Sequence, residues 1–390
     1  MGHMTARLKF LLALTLTLAL ATALTPTANA AKGMEIAVQD DAVLFAGLYS
    51  SPPVALDLSQ QLFVSRIKVT VVWSYVVGRT TAKKKKAPKH IKYNWSGYDN
   101  LINASRARGI KLQLALAGPA PAWATTNHKV GRRSPKAAPY KAFAKAAALH
   151  FKGRVDRYSV WNEPNHRGWI EPTKTAPKVY RALYVAGYSA IKKADHHAKV
   201  FIGETSPFSL GRKSKNAVAP LAFLRAVTCA NKRYKRARKC GTLKTDGYAH
   251  HPYDFDHKPT YKYPGKDNVT LGTLSRLTSA LSKLRKAKLL TTPSGGVPYV
   301  YLTEYGYFAS GKRRVAEAKR AKYLVQGFTI GQKNPRVKEM LQFLLIKPSS
   351  KYRAFDTSLA SAGGKPGTAF KKLAAWAAKA AKAGRIAVPG

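Results

Sequence analysis

Two hydrophobic rhythms alternate along this 390-residue chain. One is the short, continuous apolar run of a buried strand; the other is the amphipathic stretch with apolar residues three and four apart. The alternation begins at Val43-Leu44-Phe45, followed by a helix over Pro52–Leu62. A β-branched strand comes next, Arg66-Ile67-Lys68-Val69-Thr70-Val71-Val72-Trp73. Trp95–Arg108 then carries Tyr98, Leu101 and Ile102 at helical spacing, and Gly109 closes it. Further strands are predicted at Lys111–Ala117, Val155–Trp161, Lys199–Gly203, Thr245–Ala249, Tyr299–Thr303 and Met340–Ile346. Further helices are predicted at Tyr140–His150, Pro177–Lys193, Pro220–Cys229, Thr273–Lys288, Arg314–Gln326 and Thr368–Ala383, with Gly327 just past the end of the fifth. Eight strand-then-helix units in a chain of this length predict an α/β fold, a single (β/α)8 TIM barrel. An open doubly wound sheet usually shows a glycine-rich phosphate loop after its first strand, and none is present. No internal repeat and no long linker divides the chain.

The start of the chain follows neither rhythm. Arg7 and Lys9 precede an apolar run, Phe10–Leu24, and Ala28-Asn29-Ala30 offers a small-residue cleavage site. Residues 1–30 therefore read as a secretory signal and 31–390 as the mature barrel domain. The run is shorter than the roughly 20 residues a spanning helix needs, and no second long one follows. The expectation is a secreted, extracellular, monomeric protein with no membrane contact after cleavage. Two cysteines, Cys229 and Cys240, flank a basic loop; in an oxidising compartment they are expected to form a disulfide that pins this loop.

Charge changes the picture next. Sixty-eight Lys and Arg face 18 Asp and Glu, a net +50. Such a surface attracts polyanions without any specific site, so the charge describes the surroundings of the protein rather than its reaction. The loops after the strands carry Lys83–Lys86, Arg132, Arg133, Arg212, Lys213 and Lys312–Arg314, a possible collar for an acidic glycan. The cysteine loop, on the opposite face, is equally basic.

Against this background acid is scarce, and its placement is informative. Glu163, Glu204 and Glu304 fall at the ends of the predicted fourth, fifth and seventh strands, where barrel enzymes keep their chemistry. Glu163 stands in Tyr158-Ser159-Val160-Trp161-Asn162-Glu163-Pro164-Asn165, and Pro164 is expected to end the strand. Glu304 stands in Tyr299-Val300-Tyr301-Leu302-Thr303-Glu304-Tyr305-Gly306. Two carboxylates facing each other across a barrel mouth suit glycosidic bond cleavage, one donating a proton to the leaving oxygen and one attacking the anomeric carbon. Their pKa values must then be pushed apart. Trp161 and a second carboxylate are expected to raise Glu163; Arg66 and the Tyr253 hydroxyl are expected to keep Glu304 ionised. Glu204 reads as a buried structural carboxylate paired with one of the many arginines.

These residues resemble the retaining glycoside hydrolases of clan A, families 39 and 5 in particular. The resemblance rests on Trp161-Asn162-Glu163-Pro164-Asn165, on Thr303-Glu304, on Arg66, on Gly118-Pro119-Ala120-Pro121-Ala122-Trp123 and on His251-Pro252-Tyr253, and it runs from about Val43 to Trp376. It implies Glu163 as acid/base and Glu304 as nucleophile. It further implies Asn162 at the sugar 2-hydroxyl, Tyr253 and Arg66 as orienters of the nucleophile, and His251 as a substrate contact, with His250 the competing choice. The sequence departs from the pattern after the eighth strand: Leu344-Leu345-Ile346-Lys347-Pro348 offers no aromatic platform. Trp73 and Trp123, with Trp161, Tyr305 and Tyr307, are the candidates to stack on a sugar instead. The substrate expected is an oligo- or polysaccharide, an acidic one among the candidates, with no cofactor and no specific nucleic acid. A catalytically silent cationic barrel that binds anionic cell-wall polysaccharide or nucleic acid is the alternative, but it would not need both glutamates. No histidine pair has helical metal-ligand spacing around a carboxylate, and His196-His197 reads as a helix end.

Overall fold

The computed structural model describes residues 33–209, 216–349 and 355–390. The expected signal, residues 1–30, and the collar residues Arg212 and Lys213 lie outside them. Eight strands pair in parallel and close on themselves. They are β1 Met34–Gln39, β2 Arg66–Val72, β3 Lys111–Ala117, β4 Arg157–Val160, β5 Lys199–Thr205, β6 Gly247–His250, β7 Val300–Tyr305 and β8 Val337–Phe343. The helices outside them are α1 Pro52–Gln61, α2 Ser96–Arg106, α3 Ala137–His150, α4 Ala176–Ala194, α5 Pro220–Val227, α6 Ser275–Lys286, α7 Glu317–Lys333 and α8 Thr368–Lys382. This is the (β/α)8 barrel that the alternation predicts. Among the described residues no helix is long and apolar enough to cross a membrane. Cys229 and Cys240 form the expected disulfide.

Four elements differ from the sequence reading. The eighth strand runs Val337–Phe343, three residues earlier than the expected Met340–Ile346. The first strand is Met34–Gln39, and Val43–Phe45 lies in a helical turn over Asp41–Phe45. Its Met34-Glu35-Ile36-Ala37-Val38-Gln39 alternates less cleanly than the run after it, so the richer apolar cluster misled. The seventh helix continues through Gly327 to Lys333. That glycine is a packing residue, since a Cβ there would come within 2.5 Å of the Tyr305 hydroxyl. β4 ends at Val160, before Pro164, because Trp161 turns the chain with φ of 68°.

Position along a strand decides height in the barrel, because side chains two apart share a face. On β2, Arg66, Lys68 and Thr70 point inward at three successive levels. Arg66, at the bottom, pairs with Glu35 at 3.0 Å and Asp156 at 2.7 Å. Arg157, which opens β4, bonds both Glu35 and Glu339 at 2.6 Å. This closed ionic layer plugs the N-terminal end of the barrel. Burial of so many charges costs several kcal/mol per ion unless partners and hydrogen bonds offset it, and here each guanidinium has at least two carboxylate partners.

Candidate active site

At the C-terminal end of the barrel a cavity of about 560 Å³ opens, and both Glu163 and Glu304 line it. Glu304 rides inside β7, whereas Glu163 sits three residues beyond β4, carried inward by two left-handed residues, Trp161 and Glu163 itself, with φ of 68° and 35°. Glu204 is turned inward by a bulge in β5 between Gly203 and Thr205, with φ of 49° at the glutamate. A non-glycine residue held there costs about 1–3 kcal/mol, so the surrounding contacts must over-determine these conformations.

Those contacts are ionic. The Lys68 ammonium, fully buried, donates to Glu204 Oε2 at 2.8 Å, to Glu304 Oε1 at 3.3 Å and to the Thr303 carbonyl at 3.3 Å. Thr303 Oγ1 donates to Glu204 Oε2 at 2.8 Å. The Tyr253 hydroxyl donates to Glu304 Oε2 at 3.2 Å. His251 spans the site: its Nε2 lies 2.7 Å from Glu204 Oε2 and its Nδ1 3.0 Å from Glu163 Oε1, with Glu304 Oε2 3.6 Å away. One ligand atom each from Glu163, His251 and Glu304 lie within 4.8 Å of one another, close enough to share a cation. Lys68 already supplies one on the Glu304 side.

The electrostatic consequences follow from this geometry. Burial acts to raise Glu204, but Lys68 and His251 outweigh it and hold the carboxyl down at about 2. Burial disfavours a charged imidazole at His251, yet Glu304, Glu163 and Glu204 push it up to about 9. Glu163 is lowered, because the His251 contact outweighs its burial; Glu304 is raised, chiefly by burial, with Glu163 and Glu204 adding to it. The order is opposite to the sequence expectation. The physical reason is that the imidazole stands closer to Glu163 than to Glu304. The Glu163–His251 contact is short enough to share a proton, and the opposite directions of the two shifts favour the imidazole as its carrier.

The structure brings together Glu163, Glu304, Asn162, His251 and Tyr253. It does not bring Arg66, which lies at the opposite end of the barrel; the cation beside the nucleophile candidate is Lys68, one level higher on the same strand. His250 is the core histidine, bonded to Thr205 Oγ1 at 2.9 Å and the Val269 carbonyl at 3.0 Å, and burial lowers it to about 3. His251 lies behind the carboxylates and does not line the cavity. Neither Trp73 nor Trp123 reaches it either. Trp73 stacks on Phe143 with ring centroids 5.2 Å apart, and both indoles are buried. Trp161, Tyr305 and Tyr307 are likewise packed in the core.

The aromatic surface comes instead from Trp169, Phe208, Phe255, Phe343 and Phe355. Phe343, the last residue of β8, and Phe355 beyond it supply aromatics at the end of the eighth strand, where the sequence reading finds none. Gln39, Asp41 and Thr70 complete one wall. Sequence reasoning missed Lys68 although a signal was there: a lysine inside a β-branched, fully buried strand needs a carboxylate partner. Gln39 and Asp41 were hidden by the misplaced first strand.

No protein-family model matches the chain, and no curated protein does. Solved structures do. A family 39 glycoside hydrolase from Bacteroides cellulosilyticus WH2 superposes with a TM-score of 0.61 at 16% identity, over 89% of this chain and 64% of that one. A glucosidase from Croceicoccus marinus gives 0.63 at 12% identity, over 90% and 68%. A monomeric β-xylosidase from Caulobacter crescentus gives 0.54 at 18% identity, over 88% and 69%. The chain thus spans less than two thirds of the first of these. At such identities the likeness establishes a shared fold.

Proposed function

We propose that the protein is a retaining glycoside hydrolase. The observation that carries the reading is the pair of carboxylates in the cavity, with one oxygen of Glu163 and one of Glu304 within 4.8 Å of each other. Such a spacing suits double displacement and leaves no room for the water an inverting enzyme places between its carboxyls. The fold shared with family 39 enzymes supports it.

In the first step a Glu304 oxygen attacks the anomeric carbon, forming a glycosyl ester as the bond to the leaving oxygen breaks. The electron pair goes to that oxygen, and the proton held between Glu163 and His251 is delivered through Glu163. In the second step Glu163 takes a proton from water, the water oxygen bonds the anomeric carbon, and the ester to Glu304 breaks with net retention. Tyr253 and Lys68 fix the two oxygens of Glu304. Both hydrogen bonds stabilise the carboxylate, which must be ionised to attack although burial raises it. Asn162, whose Oδ1 is buried with no partner among the described residues, takes the sugar 2-hydroxyl. Trp169 and the four phenylalanines offer apolar faces to the ring.

Export, a monomeric state and an oligo- or polysaccharide substrate belong to the same proposal. The disulfide supports an oxidising compartment. The net +50 favours a second reading, a binder of anionic polymer, and would show as polyanion affinity that collapses with added salt. Hydrolysis of a panel of aryl glycosides and polysaccharides by wild type and Glu304→Gln separates the two. Turnover of any member, lost in the variant, is expected. Turnover retained in Glu304→Gln overturns the assignment.

A further inference from the structure

The wall of the cavity formed by the ends of β1 and β2 has a chemistry of its own. Gln39 is 3% exposed, and its Nε2 donates to Asp41 Oδ2 at 2.9 Å and to Thr70 Oγ1 at 3.1 Å. Both amide hydrogens are thereby used and the orientation of the amide is fixed, which leaves Oε1 buried without a partner among the described residues. The Asp41 carboxylate accepts one further bond, from the Thr70 N–H at 3.2 Å, and makes no ion pair among the described residues. Burial raises it, and the hydrogen bonds from Gln39 and Thr70 and the charge of Lys68, which makes no ion pair with it, offset that only in part. Asn162 Oδ1 is a second buried acceptor on the same cavity without a partner among the described residues.

The described lining holds three carboxylates, Asp41, Glu163 and Glu304, and no lysine or arginine; His166 is its one imidazole. A lining this rich in unmet acceptors calls for a ligand that donates. The interior of the site therefore has the opposite character to the +50 exterior. The lysines that suggest a collar, Lys83–Lys86, are exposed and do not enter the cavity.

We propose that Asp41 and Gln39 form a specificity subsite that receives the hydroxyl groups of a neutral glycosyl unit and rejects a uronic acid. The proposal rests on the glycosidase reading and narrows it. A hydroxyl donates to Asp41 or to Gln39 Oε1 and relieves an unmet acceptor. A sugar carboxylate brings no hydrogen to donate, finds no lysine or arginine in the described lining, and meets the carboxylates of Asp41, Glu163 and Glu304.

The test is a set of matched aryl glycosides that differ only at C6: glucoside against glucuronide, and galactoside against galacturonide, at constant ionic strength. Wild type is expected to prefer the neutral member by about a hundredfold or more in kcat/KM. Asp41→Asn is expected to lower kcat/KM on the neutral member about tenfold or more and to narrow the ratio. Thermal unfolding of the variant reports whether it folds, and the wild-type ratio does not depend on it. Equal or better turnover of the uronide overturns the inference and leaves the glycosidase standing. A ratio unchanged in a folded Asp41→Asn variant overturns the role of Asp41. No turnover of either member of any pair removes the glycosidase reading, and this inference with it.

Discussion

Replacement of Lys68 by methionine probes the site where the electrostatics are least forgiving. The substitution keeps the length of the side chain and deletes the ammonium that touches Glu204 at 2.8 Å and Glu304 at 3.3 Å. At an effective dielectric of about 20, unit charges 3.3 Å apart interact by about 5 kcal/mol, equivalent to between three and four pKa units. Glu304 already stands above its ordinary value of 4.5 with the lysine present. Without it the carboxyl is expected to be protonated at neutral pH and unable to attack. The expected result is a loss of roughly a hundredfold or more in kcat/KM at pH 7, partly regained as pH rises. The acid limb of the pH–rate profile should move upward by about two units or more. Stability should fall by about 3 kcal/mol, because two buried carboxylates lose their shared cation. The assay is kcat/KM against pH on the best glycoside, with denaturant unfolding alongside. A folded Lys68→Met variant whose acid limb stays where the wild type has it would refute the reasoning.

Arg66→Met should destabilise the protein by about 3–5 kcal/mol while leaving kcat/KM within about twofold, since the guanidinium belongs to the ionic layer far from the cavity; unfolding and kinetics on one preparation check both halves. His251 has a folded pKa of about 9 against an ordinary 6.5, so its contribution to stability is fully present below 6.5 and is lost as pH rises through 9. The span amounts to about 3 kcal/mol, and His251→Gln should flatten unfolding free energy over that window. Trp169→Ala should raise KM about tenfold, whereas Trp123→Phe should leave it unchanged, because only the first indole faces the cavity.

The barrel was readable in the sequence because each buried strand is a short β-branched run and each helix carries its own stripe. The two catalytic candidates were readable because acid is rare and stands at strand ends. What stayed hidden depends on height and direction inside the barrel. Arg66 and Lys68 are both basic, both on β2 and both inward, yet one plugs the floor and the other touches Glu304; only the register of the closed sheet separates them. The tryptophans were over-read for a related reason. An indole after a strand can turn into the cavity or into the helical layer, and Trp73 and Trp123 turn into the layer. The inverted order of Glu163 and Glu304 rests on a few tenths of an ångström between His251 and each carboxylate.

The central claim is that Glu304 forms a covalent bond to the sugar. Incubation with an activated 2-deoxy-2-fluoro glycoside of the preferred sugar slows the second step and lets the ester accumulate. Peptide mass spectrometry should then find one glycosyl adduct, on Glu304, and none in Glu304→Gln. Turnover without an adduct and with an inverted product anomer, or an adduct on Glu163, would contradict the account.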